Sequence, residues 1–349
     1  MRGRDAPLSL EVHLERARHH ARAVEFFDFS RLDAFHHADV LSVVHGGDWR
    51  SVLITDGRDA WLHAFAKAPI GETSHFDVDP FLGYAGPVAT TPDRRFIEAA
   101  LQAHSEVCRA ENIIAEVFRF NPLLGNHAAL KGTAIRVVRA KDIIIAECAA
   151  DEDAQMRTFT KSCRSSVRRG LRDHAFEALD GGSGMDAFAG LYRRSLDRLG
   201  SKARWYFPDA FFARARASDH CAAYGVRKGA ELVSAALAIH HPAGAYYFLA
   251  ANADAQVQGA NELLVYGVAR AAFARGARRL ILGGGHGDDE ADALFRFKAK
   301  FAHSATPFYI GLMAHDPETL VGLRAEAIAH RPELAEAPYF LNYRLALYP

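Results

Sequence analysis

Between Glu231 and Leu312, apolar patterns of period two and period 3.6 follow one another in a fixed order. This succession limits the fold more than any other part of the chain. Glu231–His240 and Ala245–Ala251 read as strands, joined by the hairpin-sized connection His241-Pro242-Ala243-Gly244. Asn261–Arg275 then places Leu263, Leu264, Val268, Ala271 and Ala272 on one helical stripe, and Gly276 suits the cap that ends it. Arg279–Leu282 reads as a short buried strand running into Gly283-Gly284-Gly285. A second helix is expected over Glu290–Phe301 and a last strand over Pro307–Leu312. Hairpin, helix, strand, helix, strand builds an α/β domain, a mixed sheet flanked by helices.

The 349 residues leave room for two such domains. In the first half, residues 8–26 read as a helix, and Ser51–Thr55 and Ala60–Lys67 as neighbouring strands around the turn Asp56-Gly57-Arg58-Asp59. Residues 93–111 have a helical pattern. Ile113–Phe120 alternates like a strand and stops at Asn121-Pro122, where proline removes a ladder donor. Asp142–Cys148 is a further apolar strand. The polar run Ala149–Gln155 after it marks the expected boundary between domains 1–150 and 151–305. The second half continues with a basic helix near 155–173, a glycine-rich break at Asp180–Gly184 and a helix at 186–199.

Lys+Arg and Asp+Glu each number 42, so the formal net charge is zero. That argues against a DNA-binding protein and confines any RNA contact to a local patch. Cys108, Cys148, Cys163 and Cys221 lie far apart with no CxxC pair, a spacing that points to neither a zinc site nor a disulfide framework and fits a reducing compartment. The first residues carry charges throughout and lack the apolar core of a signal peptide. No apolar run reaches membrane-spanning length. The expected location is the cytoplasm. The pairs His19-His20, His36-His37 and His240-His241 read as surface or turn residues. His286 with Asp288, Asp289 and Glu290 reads as a solvated loop and helix cap, so no metal is expected.

The run YYFLAANADAQVQGANELLVYGVARAAFARGARRLILGGG, followed by DALFRFKAKF and PFYIG, resembles the FemABX-like aminoacyltransferases and their wider acetyltransferase-like (GNAT) relatives. GYAGPV, FRFNPLL and the ending PYFLNYR extend the resemblance over most of the chain. The resemblance implies two GNAT-like domains in tandem, with 306–349 returning to the first. It implies an acyltransferase that forms an amide, taking an aminoacyl group from aminoacyl-tRNA to an amine of a cell-envelope (peptidoglycan) precursor or small metabolite. An acetyl-CoA-dependent N-acetyltransferase on a small amine or amino sugar is the alternative, and a non-catalytic binding module of the same fold is a second. No tightly bound cofactor is implied.

Acyl transfer to an amine needs a held acceptor, a route for its proton and donors for the developing oxyanion. With no GxSxG motif and no activated cysteine, direct attack by the amine is expected. Lys298 matches the family's Phe-Lys-x-x-Phe lysine, which implies an ammonium at a phosphate or oxyanion, and Lys300 is the fallback. Arg119 and Asn121 sit before Pro122, where several relatives carry an acid; Asn121 cannot take a proton, which leaves the base unassigned. Tyr84 and Gly86 match a Gly-Tyr-x-Gly-Pro loop, read either as an acceptor contact or as a structural turn. Lys161, Arg164, Arg168 and Arg172 share one helix face, read as a phosphate-binding ridge or a solvated surface. Gln256 and Gly259 fit a pyrophosphate-binding helix start, in which Asn261 departs from the small residue expected and reads as an N-cap.

Overall fold

The chain passes from one compact unit to a second inside a strand, Arg136–Glu147, and not in the polar run that follows it. The computed structural model describes residues 8–253, 257–285 and 292–347. One unit comprises Met1–Asp28, His45–Arg139 and Tyr309–Pro349; the other comprises Phe29–Val44 and Ala140–Phe308. The boundary expected at 150 therefore moves to 139/140. The reason is pairing: Glu147, Ala146 and Ile145 lie opposite Arg279, Leu280 and Ile281, so the apolar run from Asp142 belongs to the second unit's sheet.

In the first unit, Glu11–Arg16, Arg50–Thr55, Ala60–Phe65 and Val88–Ala89 form an antiparallel sheet in that order. The helix expected over 8–26 is thus a strand followed by one helical turn, Ala23–Phe26. Period two wins there because Val12 and Leu14 pair opposite Ile54 and Val52. Arg50–Thr55 and Ala60–Phe65 join through an Asx turn in which Asp56 Oδ1 accepts from the N–H groups of Arg58 and Asp59. Ile113–Arg119 pairs with the far end of the strand Ala305–Ala314. Asp93 caps the helix Arg94–Ala110, whose Phe96, Ile97, Ala100 and Leu101 enter a core with Trp61, Phe65 and Phe118.

The second unit's strands run in the order Arg136–Glu147, Arg279–Gly283, Ala245–Asn252, Glu231–Ile239, Cys221–Lys228, Ala175–Ala178. All neighbours are antiparallel except Ala245–Asn252 and Arg279–Gly283, which run parallel and are joined through the crossover helix Ala260–Ala274. Cys221–Lys228 and Ala175–Ala178 carry no clean alternation and were not legible as strands. The basic segment is two helices, Glu152–Arg157 and Lys161–Asp173, with Thr160 accepting from Cys163 N to cap the second. The glycine-rich stretch is no break but the first turn of Gly181–Leu199. There a Cβ on Gly184 would stand 2.3 Å from the Leu179 carbonyl carbon, so only glycine fits under the preceding backbone.

Two glycines set the approach of Lys161–Asp173 to Ala260–Ala274. A Cβ on Gly170 would lie 2.6 Å from the Gly259 carbonyl oxygen and 2.8 Å from Leu263 Cβ. Gly259 has φ +81°, with Ser166 O 2.7 Å from the position of its missing Cβ. Gly170→Ala should lower stability by about 1–3 kcal/mol despite alanine's better helix propensity, because backbone rather than a movable side chain must yield. The check is a lower urea midpoint at unchanged denaturant slope.

Candidate functional site

Ala245–Asn252 and Arg279–Gly283 pair at Ala245↔Leu280 and Tyr246↔Ile281, and beyond that the two strands part. Because they run parallel, Asn252 and Gly283 come to the same end of the sheet. The cleft lies at this end. Its volume is about 480 Å³, and it is lined by Asn252 and Ala253, by the helix start Gln258–Glu262, by Ser166 and Arg169 of the basic helix, and by Arg198.

The opening N–H groups of an α-helix have no acceptor within the helix and carry the positive end of its dipole. Here the N-cap is Gly259, which brings no side chain of its own over them. Such a start favours an anion. Arg169 hydrogen-bonds the Gln258 side chain, and Arg198 donates to Asn252 O at 3.3 Å, so two guanidinium groups border the cleft. Glu262 is the one carboxylate among the described lining residues, and Lys300 Nζ pairs with it at 3.3 Å. The field in the cleft is therefore set by the arginines and the helix start.

Asn261 is not the cap. It is the second residue of the helix, and its Oδ1 accepts from Ser234 Oγ at 2.8 Å, which ties the helix to the strand Glu231–Ile239. Gln256 lies outside the described residues, as do His286, Asp288, Asp289 and Glu290. On the basic helix Lys161, Arg168 and Arg172 are exposed, and Arg164 is half-buried with its guanidinium on Phe159 O at 2.7 Å. The reading from sequence missed Ser166, Arg198 and Asn252, which come from three separate elements and share no spacing.

Lys298 stands on the helix Ala293–Ala299, which begins later than Glu290 with Asp292 as its cap. It is not among the residues lining the cleft. Its Nζ donates to Gly284 O at 2.7 Å, directly after the parted strand Arg279–Gly283. Lys141 Nζ reaches the next carbonyl, Gly285 O, at 3.4 Å. Burial, and after it the neighbouring Lys141, brings the Lys298 ammonium down to about 8 against the opposing effect of Asp292.

Tyr84, Gly86, Arg119 and Asn121 come together in the first unit. Asn121 is fully buried; its amide donates to Tyr84 O at 2.9 Å and its oxygen accepts from Leu123 N and Leu124 N at 2.8 and 3.1 Å. Arg119 Nε donates to Gly83 O at 2.9 Å, and its guanidinium lies 5.4 Å from the centre of the Tyr84 ring. Gly86, at φ +67°, leaves no room for a Cβ beside Asn126 and Phe120. This arrangement holds a loop in place. Glu116, on the strand before it, is fully buried against His63, His104 and His315.

Of the histidine pairs, His19, His20 and His37 are part-exposed and His36, His240 and His241 are buried, with His241 O closing the hairpin turn onto Gly244 N. His241 gathers with His37 and His220, ring centres 4.4 to 5.9 Å apart.

Residues 155–299 match the family described as acetyltransferase (GNAT) domain. The chain carries an acetyltransferase (GNAT) domain and is an acyltransferase. Its fold is similar to that of FemX, with a TM-score of 0.63 at 14% identity over 84% of this chain and 94% of that one. It is also similar to the C-terminal domain of a putative lysylphosphatidylglycerol synthetase from Agrobacterium fabrum (TM-score 0.54, 16% identity, 88% and 95% covered). A tandem GNAT protein from the clavulanic acid biosynthesis pathway gives a TM-score of 0.52 at 12% identity over 88% and 99%. The architecture is thus two GNAT-like domains in tandem. No curated protein sequence matches the chain. Among the described residues, no helix is long and apolar enough to cross a membrane.

Asn121→Ala should destabilise the acyltransferase by about 1–3 kcal/mol, since it removes three hydrogen bonds that a fully buried amide makes to the backbone of Tyr84, Leu123 and Leu124. The measurement is equilibrium denaturation. Unchanged stability would mean that these bonds do not hold the loop.

Proposed function

We propose that the protein forms an amide by passing an acyl group to an amine of a cell-envelope precursor or small metabolite, with aminoacyl-tRNA as the donor. The observation that carries this reading is the glycine-capped helix start in a cleft bordered by Arg169 and Arg198, continued outward by exposed Lys161, Arg168 and Arg172. A small nucleotide needs the cleft alone. A polyanion uses the ridge as well, which is what the extra exposed charges on the same helix favour.

In this mechanism a donor phosphate sits on the N–H groups that open Ala260–Ala274, beside Arg169. The acyl carbonyl enters the gap where Ala245–Asn252 and Arg279–Gly283 separate. The acceptor amine attacks the carbonyl carbon, and the C–O bond to the tRNA ribose breaks as the amide C–N bond forms. The amine's proton leaves with solvent or the departing hydroxyl. Lys298, held at the end of Arg279–Gly283, offers its ammonium to the developing oxyanion; Arg119 and Asn121, with Tyr84 and Gly86, hold a loop rather than take protons.

Acyl-coenzyme A is the second reading. The glycine-capped helix start supports it, since that geometry suits a pyrophosphate without help from the ridge. One of the structures of similar fold is itself described as being without AcCoA.

Supplying charged tRNA and labelled acetyl-coenzyme A in parallel separates the two donors. With tRNA as donor, replacing Arg168 and Arg172 together by glutamate should cut turnover about tenfold or more at low salt and flatten its salt dependence. Turnover supported by acetyl-coenzyme A alone, indifferent to that double substitution, would decide for the second reading.

Lys298→Ala should lower kcat/KM about 100-fold or more with stability nearly intact. Because the protonated form acts, wild-type turnover should hold below a pH of about 8 and decline as the pH rises through it. A rate that keeps climbing through that range would remove Lys298 from the chemistry.

A further inference from the structure

Far in sequence from the cleft's residues, the first unit carries a second concentration of polar chemistry in its core. His104, Cys108, Glu116 and His315 are each at most 2% exposed, and one ligand atom from each lies within 4.8 Å of all the others. Cys108 Sγ is 3.5 Å from His104 Nε2, which is 2.8 Å from Glu116 Oε2, which is 3.3 Å from His315 Nε2. Tetrahedral coordination of a zinc-like ion by nitrogen, oxygen and sulfur sets neighbouring ligand atoms roughly 3.2–3.8 Å apart. The three contacts that link the four atoms in sequence, 2.8 to 3.5 Å, are near that spacing, and no pair lies more than 4.8 Å apart. We propose that His104, Cys108, Glu116 and His315 bind one divalent transition-metal ion, zinc by the chemistry of the set, in a closed structural site.

Three further observations support the assignment. The second oxygen of Glu116, Oε1, is held by His63 Nε2 at 2.6 Å, which leaves Oε2 for the metal. His315 Nδ1 lies 3.1 Å from Ser105 Oγ, so this nitrogen has a partner when Nε2 coordinates. Partners of this kind, which fix ligand orientation from behind, accompany metal-bound histidines and carboxylates.

Charge gives the third argument. Burying the Glu116 carboxylate is costly in a core that also holds Phe65 and Phe118. A divalent ion with one thiolate, one carboxylate and two neutral imidazoles sums to zero. Coordination releases the thiol proton and moves the imidazole protons from Nε2 to Nδ1. All four positions are filled by the protein, which leaves none for water or substrate; the ion's task is to fasten Arg94–Ala110, Ile113–Arg119 and the residue after Ala305–Ala314 to one another. This inference does not depend on the donor or acceptor of the acyl transfer.

The test is metal analysis of the full-length protein, purified both from ordinary medium and from zinc-depleted medium supplemented with cobalt. The expected result is one ion per chain, with the cobalt form showing the intense visible bands of a tetrahedral site and a near-ultraviolet thiolate-to-cobalt band. Cys108→Ser should lose the thiolate band, whereas Cys163→Ser, a buried thiol of the other unit, should keep it. A wild-type protein without stoichiometric metal from either medium overturns the proposal whether or not the variants fold. So does a thiolate band that survives in Cys108→Ser.

Discussion

The cleft depends on one close contact, the backbone of Gly259 against that of Gly170. A crossover helix must begin where a parallel strand ends, and in most such helices the first residue carries a side chain that caps the orphan N–H groups. Here the cap position turns through φ +81° without a side chain and is pressed onto the neighbouring helix by two missing Cβ atoms. The same contact therefore leaves the helix start without a side-chain cap and brings Arg169 alongside it. Ser234 Oγ on Asn261 fixes the first turn from the sheet side. Position and polarity of the site follow from these few atoms.

The order hairpin, helix, strand, helix, strand was legible because each element has a clean period and punctuation at its ends: Pro242 and Gly244 at the hairpin, Gly276 at φ +93° after the crossover helix. What was not legible is equally physical. Glu11–Arg16 reads as helix in a one-dimensional pattern, and its pairing with Arg50–Thr55 overrides that tendency. Gly181–Leu199 starts in glycines, poor helix formers, because Gly184 must pass under Leu179. The cleft was half legible. Gly259 and the basic ridge stand in local patterns, whereas Arg198 and Asn252 are joined to them by the fold alone. His104 and Cys108 did offer a signal, four residues apart on one helix face, but the spacing of cysteines among themselves does not show it.

The ending PYFLNYR has a role that its place in the sequence does not reveal. Tyr343 OH donates to Asp77 Oδ2 at 2.6 Å, and Arg344 Nε meets the same carboxylate at 2.7 and 3.0 Å. Tyr339 hydrogen-bonds Asp79. Asp77 is fully buried, so its charge is acceptable only because a guanidinium fork and a phenol enclose it. These bonds draw the last residues back to the short strand Phe76–Val78, more than 250 residues earlier, and Leu341 and Tyr343 enter a core with Ile70 and Leu320. The returning tail is thus fastened by one satisfied carboxylate as well as by apolar packing.

Local charge, not net charge, decides what the cleft attracts. Equal numbers of acids and bases cancel over the whole chain, and at the solution ionic strength of a cell their fields fade within about 8 Å. A ligand close to Gln258–Glu262 therefore feels the helix start, Arg169 and Arg198, with Glu262 offset by Lys300. A ligand that extends beyond the cleft also meets Arg168 and Arg172. On the proposed function, the number of phosphates a donor presents is the property by which this surface would distinguish one donor from another, and the balance between cleft and ridge would set how strongly salt weakens binding.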